Sequence, residues 1–315
     1  MCGLAESGSW LLPIIRHGCD PTPGRGPNRL RQFTGTAFGR LVSPMRELER
    51  DLTTLAARDA GAPSFSNLAV IGAGRAGRSI AAASSAAGLS VRLAGRDDAL
   101  EACRASEVAL LCVPDGGIAD ACATVAGAVP PLRFVGHVSG ATKLDALSAA
   151  SAAGAAVFSL HPLQTIPDSR TDLVGAPCAI AGSTPDAVAL AVGLAERLQM
   201  RPFEVPEDSR DAYHAAAAMA SNLLVALEES AAELMDQAGI DAPGRELLAP
   251  LVLRSAANWA EGGGDALTGP IARGDTATVE RHLEALRATA PDLVPAYEAL
   301  AERARALVAR REASG

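Results

Sequence analysis

Lysine is almost missing from this chain. Lys143 is the only one, and every other basic residue in the chain's single-letter text is arginine or histidine. A mechanism built on a catalytic lysine therefore has one candidate. Alanine is abundant, and both biases read as genome composition rather than chemistry. Closely paired cysteines are missing as well. Cys2, Cys19, Cys103, Cys112, Cys122 and Cys178 form no C-x-x-C pair, which argues against a zinc site and leaves no metal expected. Cys112 lies inside an apolar run and reads as core, so the set suits a reducing compartment and a cytoplasmic protein. Basic charge is in deficit, with 28 Lys and Arg against 36 Asp and Glu and a formal net charge of -8. That argues against a broad nucleic-acid surface, while a local phosphate pocket stays open. Long apolar runs are missing too. The stretch 212–227 is about 16 residues, short of the roughly 20 that a membrane span needs. It reads as a buried helix, and no membrane partner is expected. The N-terminal run Trp10 to Ile15 is broken by Pro13, too short for a signal segment.

What is present points to an ordered chain. The 315 residues suggest about two domains at roughly 150 residues each. Apolar residues at 49% allow sizeable cores, and charged residues at 20% are too few for a disordered chain. Residues 1–44, rich in Gly, Pro and Arg, read as a disordered or loosely attached extension. Met45 to Ala60 places Leu48, Leu52 and Leu55 on one helical face. Residues 45–205 then alternate short apolar runs with helical patterns. Strands are expected at 67–72, 90–94, 107–114, 133–138 and 155–160, with 178–181 as an edge strand. Continuous apolar runs suit parallel strands covered on both faces, so the fold class is an α/β Rossmann domain with a doubly wound parallel sheet. After about Val205 the strand signals stop. Residues 206–315 read as an all-α domain, with one long helix over 208–239 and others over 244–261, 276–289 and 291–311.

The first strand runs into G-A-G-R-A-G, residues Gly72, Ala73, Gly74, Arg75, Ala76 and Gly77. Gly72 allows a tight turn, Gly74 lets a pyrophosphate approach the backbone, and Gly77 lets helix and strand pack closely. The helix start then offers N–H groups to phosphate. Strand, fingerprint, helix and second strand in this order predict a dinucleotide site. After the second strand the chain reads L-A-G-R-D-D. Arg96 stands where NAD binders place an acid for the ribose 2′-hydroxyl, and a guanidinium there suits a 2′-phosphate. Asp97 and Asp98 pull the other way. NADP is expected ahead of NAD.

Several segments together resemble the bacterial proteins that join a Rossmann-like domain to a DUF2520 domain, within the wider group of 6-phosphogluconate-dehydrogenase-like NADP oxidoreductases. They are the fingerprint, L-C-V-P-D at 111–115, H-V-S-G-A at 137–141, H-P-L-Q-T at 161–165, Y-H-A-A-A-A-M-A-S-N at 213–222 and G-P-I-A-R-G-D-T-A-T-V-E-R-H at 269–282. The resemblance covers about residues 67–310. It implies a dinucleotide domain followed by a helical substrate domain, through which such chains often form homodimers.

Candidate site residues follow from position. Val113 and Pro114 end a strand and should border the cofactor, with Asp115 either beside it or a helix cap. Ser139 ends the next strand, either bonding nicotinamide or substrate or closing a turn. His161 follows the strand V-F-S-L and is held by Pro162. Its place is similar to the H-P segment of prephenate dehydrogenase-like enzymes, which implies an acid or base working on a hydroxyl; alternatively it only orders a loop. His214 and Ser221 lie two turns apart on one helical face, with Asn222 beside it: a substrate site or an interface. Ketopantoate reductase carries a Lys and an Asn on the comparable helix; here Ala218 and Met219 stand where the Lys would fit. Asp275 reads as the cap of the helix after Gly269-Pro270, and Arg273, in the loop before that helix, is expected to clamp a substrate carboxylate. The expected function is NADP(H)-dependent reduction of a small carbonyl compound, such as the 2-oxo acid ketopantoate. An imine reductase resembling pyrroline-5-carboxylate reductase and a non-catalytic NADP-binding sensor are the alternatives.

Overall fold

The computed structural model describes residues 63–314. The expected extension over 1–44 and the expected helix over 45–60 lie outside them. Seven strands form one sheet: β1 (Asn67–Ile71), β2 (Ser90–Ala94), β3 (Val108–Leu111), β4 (Phe134–His137), β5 (Ala156–Pro162), β6 (Pro177–Gly182) and β7 (Arg201–Glu204). Their spatial order is β2-β1-β3-β4-β5-β6-β7. The first five run parallel, β6 is antiparallel to β5, and β7 is parallel to β6.

Alternate residues of each strand serve opposite faces. Leu68 and Val70 join Leu110, Phe158 and Ile180 in one core under α1 (Arg75–Ala86) and a later helix that supplies Leu190 and Leu194. Ala69 and Ile71 join Ala109, Leu111 and Val135 in the other. That second core is covered by α2 (Ala99–Cys103), α3 (Ile118–Val125) and α4 (Ser148–Ala152). Both faces are dry, which is why β1 and β3 read as unbroken apolar runs. The helix with Leu190 and Leu194 is α5 (Pro185–Arg197), begun by Thr184, whose hydroxyl caps the Ala187 N–H at 3.1 Å.

Two expectations are corrected here. β6 is not the edge, because β7 pairs along it and Cys178, Ala179 and Ile180 are fully buried. β7 itself escaped the pattern because R-P-F-E carries no apolar run. A proline is tolerated in such a position because an edge strand has no second partner to receive its missing N–H. The single helix expected over 208–239 is two helices, α6 (Arg210–Ala220) and α7 (Asn222–Gln237). Ser221 lies between them at φ -130° and ψ -76°, outside helical geometry. No glycine or proline marks that break. The remaining helices are α8 (Gly244–Gly262), α9 (Gly269–Ala272), α10 (Thr276–Thr289) and α11 (Val294–Ser314). Asp275 caps α10, accepting from the Thr278 N–H at 3.0 Å. Among the described residues no helix is long and apolar enough to cross a membrane.

Candidate functional site

The fingerprint turn is built by close approach. Gly72 has φ +115°, and a Cβ there would lie 2.4 Å from the Cys112 carbonyl oxygen. A Cβ on Gly77 would lie 1.9 Å from the Gly72 carbonyl oxygen, so the first turn of α1 sits directly on the loop. Gly74 differs: its Cβ position has nothing within 4 Å. The free side of the loop is therefore at Gly74. No side chain caps the start of α1, and its first turn holds no acid. The N–H groups around Arg75, Ala76 and Gly77 meet no competing anion. The Ala73 carbonyl accepts from Arg78 Nε at 2.8 Å, and the exposed Arg75 reaches the Pro167 carbonyl at 3.5 Å.

Beside this loop a cleft of about 390 Å³ opens at the ends of β1 and β3. Ile71, Arg96, Val113, Pro114, Asp120 and Thr124 are among its walls. The structure thus brings the sequence-predicted Arg96, Val113 and Pro114 to one cavity next to the glycine loop. These residues fit a dinucleotide: a bare helix start for pyrophosphate, room at Gly74, and an apolar-walled cleft with one guanidinium.

A second cluster stands at the ends of β4 and β5. His161 Nδ1 is 2.7 Å from the Tyr213 hydroxyl, and the two rings meet edge to face. His161 and His214 rings are 6.0 Å apart between centroids. Both crowd Gly140: a Cβ there would lie 2.9 Å from His161 Nε2 and 2.6 Å from His214 Nδ1. Glycine at 140 is what lets the two imidazoles reach the loop after β4. His214 Nδ1 is buried with no hydrogen-bond partner. Burial lowers the His161 pKa to about 4, helped by His214 and the Arg210 charge and opposed by Asp115. His161 is therefore neutral near pH 7. Burial raises Tyr213 to about 12.

The loop at 139–140 is fastened from beneath. Arg210, fully buried at the start of α6, donates to the Ser139 carbonyl at 3.2 Å and the Gly140 carbonyl at 3.4 Å. It also donates to the Ser159 hydroxyl and, through Nε, to Glu207 at 3.1 Å. The other Glu207 oxygen accepts from the Leu144 N–H at 2.8 Å. Ser139 is buried, its hydroxyl oxygen accepting from the N–H groups of Ala141 and Thr142 at 3.2 and 2.9 Å, so that oxygen shapes the turn. His137 lies under the same loop, its Nδ1 accepting from the Ser139 N–H at 3.2 Å. Burial, then the Arg210 charge, takes its pKa down to about 4.

Of the residues singled out for chemistry, the fold unites His161 and His214. Asn222 does not join them in the single chain. It is exposed and accepts from the Ser221 hydroxyl at 3.1 Å, because the break at Ser221 ends the shared face. Arg273 is exposed at the end of α9, where its charge acts on Asp275. Tyr213, Gly140 and Arg210 complete the cluster without having been assigned a part. One signal for Arg210 exists in the sequence. A cation in the first turn of a helix opposes the helix dipole, which suggests that its charge is used elsewhere. Among the described residues no group of three or more His, Cys, Asp or Glu could hold a metal ion.

The family model described as "Domain of unknown function (DUF2520)" matches residues 176–304. The DUF2520 segment begins with β6, still inside the sheet, and runs into α11. No curated protein sequence matches the chain. Solved structures share the fold. A Bacteroides fragilis protein, provisionally described as an NADP oxidoreductase, is 20% identical over 76% of this chain and 98% of its own, with a TM-score of 0.63. A Thermotoga maritima protein is 20% identical over 78% of this chain and 99% of its own, with a TM-score of 0.62. A reductive aminase from Aspergillus terreus, solved with NADPH and ethyl-5-oxohexanoate, is 18% identical over 76% of this chain and 94% of its own, with a TM-score of 0.56. At these identities the likeness speaks for a common fold: a mostly parallel Rossmann sheet followed by a helical region.

Proposed function

We propose that this protein is an NADP(H)-dependent oxidoreductase that reduces a small carbonyl compound. One observation carries the reading. A bare helix start stands at the carboxyl end of β1 and a pair of imidazoles beside the carboxyl end of β5, both in the parallel part of one sheet, where such sheets bind ligands. Pyrophosphate would rest on the first turn of α1 near Gly74, and Arg96 would meet a 2′-phosphate. Val113, Pro114 and the Ser139 turn would border the nicotinamide. When bound, the reduced cofactor supplies hydride. The chain's own part is to seat the substrate over Gly140 and to offer it a hydrogen-bonding nitrogen from neutral His161, with His214 alongside. Arg273 would hold a carboxylate of a 2-oxo acid such as ketopantoate, and Asn222 would line the substrate side. Neither meets the histidines within one chain, so this part of the reading goes with a homodimer.

The dimer has support of its own. Only Ala232 of α7 and Gly244 of α8 are buried, while Leu223, Val225, Leu251, Leu253 and Trp259 are each more than half exposed. An apolar surface of this kind, left exposed in the single chain, supports an interface. The domains are taken as residues 45–205 for the cofactor and 206–315 for substrate and pairing, in a cytoplasmic protein. An imine substrate is the second reading, because the fold is shared with a reductive aminase.

The test is fluorescence titration with NADPH and NADH, then oxidation of NADPH against 2-oxo acids and cyclic imines. Tight NADPH binding with turnover of a 2-oxo acid is expected, and His161→Asn should cost at least about tenfold in turnover. Binding with no turnover on either panel would favour a sensor instead.

A further inference from the structure

We propose that Tyr213 is a positioning residue that fixes the tautomer of His161 and so selects a carbonyl over an imine. The inference rests on the oxidoreductase reading for its substrate, though not for its geometry. The Tyr213 hydroxyl and His161 Nδ1 are 2.7 Å apart. Among the described residues that hydroxyl has no other hydrogen-bond partner. If the imidazole donated, the phenolic hydrogen would be left without an acceptor in a half-buried place. A phenol is the better donor and an imidazole nitrogen the better acceptor, so the hydrogen runs from Tyr213 to Nδ1. The phenol is held in its protonated form by burial, and the edge of Phe203 fixes its ring.

The neutral imidazole has one hydrogen to place. With Nδ1 accepting, that hydrogen sits on Nε2. Nε2 and the adjoining Cε1 both lie against Gly140, on the side where His214 Nδ1 is buried without a partner. The site therefore presents a neutral N–H donor beside a second imidazole nitrogen. A carbonyl oxygen has lone pairs to accept from that donor. A protonated imine has none, and its own N–H would face the Nε2 hydrogen. Removing the Tyr213 hydroxyl frees His161 to place its hydrogen on Nδ1 and turn a lone pair toward Gly140. Donor and acceptor then exchange at the ligand without any change in ring position.

The decisive readout needs neither cofactor nor turnover. The chain has five histidines, so selective ¹⁵N labelling gives a short spectrum in which His161→Asn identifies the His161 signals. The wild type should show a pyridine-like Nδ1 and a protonated Nε2 at neutral pH. In Tyr213→Phe the two His161 signals should move toward each other as both tautomers populate. A His161 spectrum unchanged by Tyr213→Phe overturns the assignment, as does a wild-type spectrum with the hydrogen on Nδ1. The kinetic arm uses the same variant with pyruvate-type 2-oxo acids and a cyclic imine. The ratio of kcat/KM for oxo acid over imine should fall at least about tenfold in Tyr213→Phe, with NADPH affinity unchanged. A ratio that stays put refutes the selectivity. Should the wild type turn over neither class, the oxidoreductase reading fails and the selectivity falls with it, while the spectra still decide the tautomer.

Discussion

Stability should fall on mild acidification, and one residue should carry a resolvable share of the loss. His137 is fully buried, and burial with the nearby Arg210 charge takes its pKa down to about 4. In the unfolded chain a histidine titrates near 6.5. Below that pH the unfolded chain takes up a proton that the folded chain refuses until about pH 4. The unfolded state thus binds more protons across this window, so stability declines as pH falls from about 6.5 to about 4 and is fully present above it. The width of the window, at about 1.4 kcal/mol per pH unit, sets the whole effect at roughly 3 kcal/mol. His161 works in the same direction but is partly exposed, so its share is smaller than its pKa suggests. The assay is urea unfolding of the wild type and His137→Asn at about pH 7, 6 and 5. Asparagine can keep an acceptor for the Ser139 N–H that His137 now receives at 3.2 Å. Between about pH 6 and 5 the wild type should lose roughly 1 kcal/mol more than the variant. Equal slopes in the two proteins would refute the assignment of the penalty to His137.

The two fingerprint glycines should part company. Gly74→Ala meets nothing within 4 Å, so melting temperature should hold while NADPH titration shows weaker binding; Gly77→Ala runs into the Gly72 carbonyl and should lower both. Arg96→Ala should cost NADPH about 1.5–3 kcal/mol of binding, read by parallel titrations, and leave NADH nearly untouched. Leu253 is 72% exposed on α8, and Leu253→Glu should turn the proposed dimer into a monomer by sedimentation velocity without loss of helix content.

The cofactor half was largely legible in the sequence because its strands are buried on both faces. Leu68 to Ile71 and Val108 to Leu111 carry their burial in their composition. β7 was not legible, since Arg201-Pro202-Phe203-Glu204 sits at an edge and has no need to be apolar. Nor was the break at Ser221, which leaves no mark of composition. In the candidate site, His161 and His214 stood out as polar residues in apolar surroundings. Tyr213 did not, because its part depends on a ring nitrogen 52 positions earlier in the chain. Arg210 looked like one arginine among many. Its burial follows from three acceptors supplied by residues 139, 140 and 159, a convergence that no local pattern expresses.

That convergence bears on where the chain can be cut. Strands end with Glu204, and a boundary just beyond it looks natural to anyone planning a fragment. Such a fragment would keep the Ser139 and Gly140 carbonyls and the Ser159 hydroxyl but discard the guanidinium that serves all three. It would also lose Glu207, which holds the Leu144 N–H. The sheet could survive the cut, yet the loop beside His161 would lose its anchor, and His214 would go with α6. A workable fragment has to extend through α6. The first eleven-residue helix of the helical region is thus, in practical terms, the last component of the sheet.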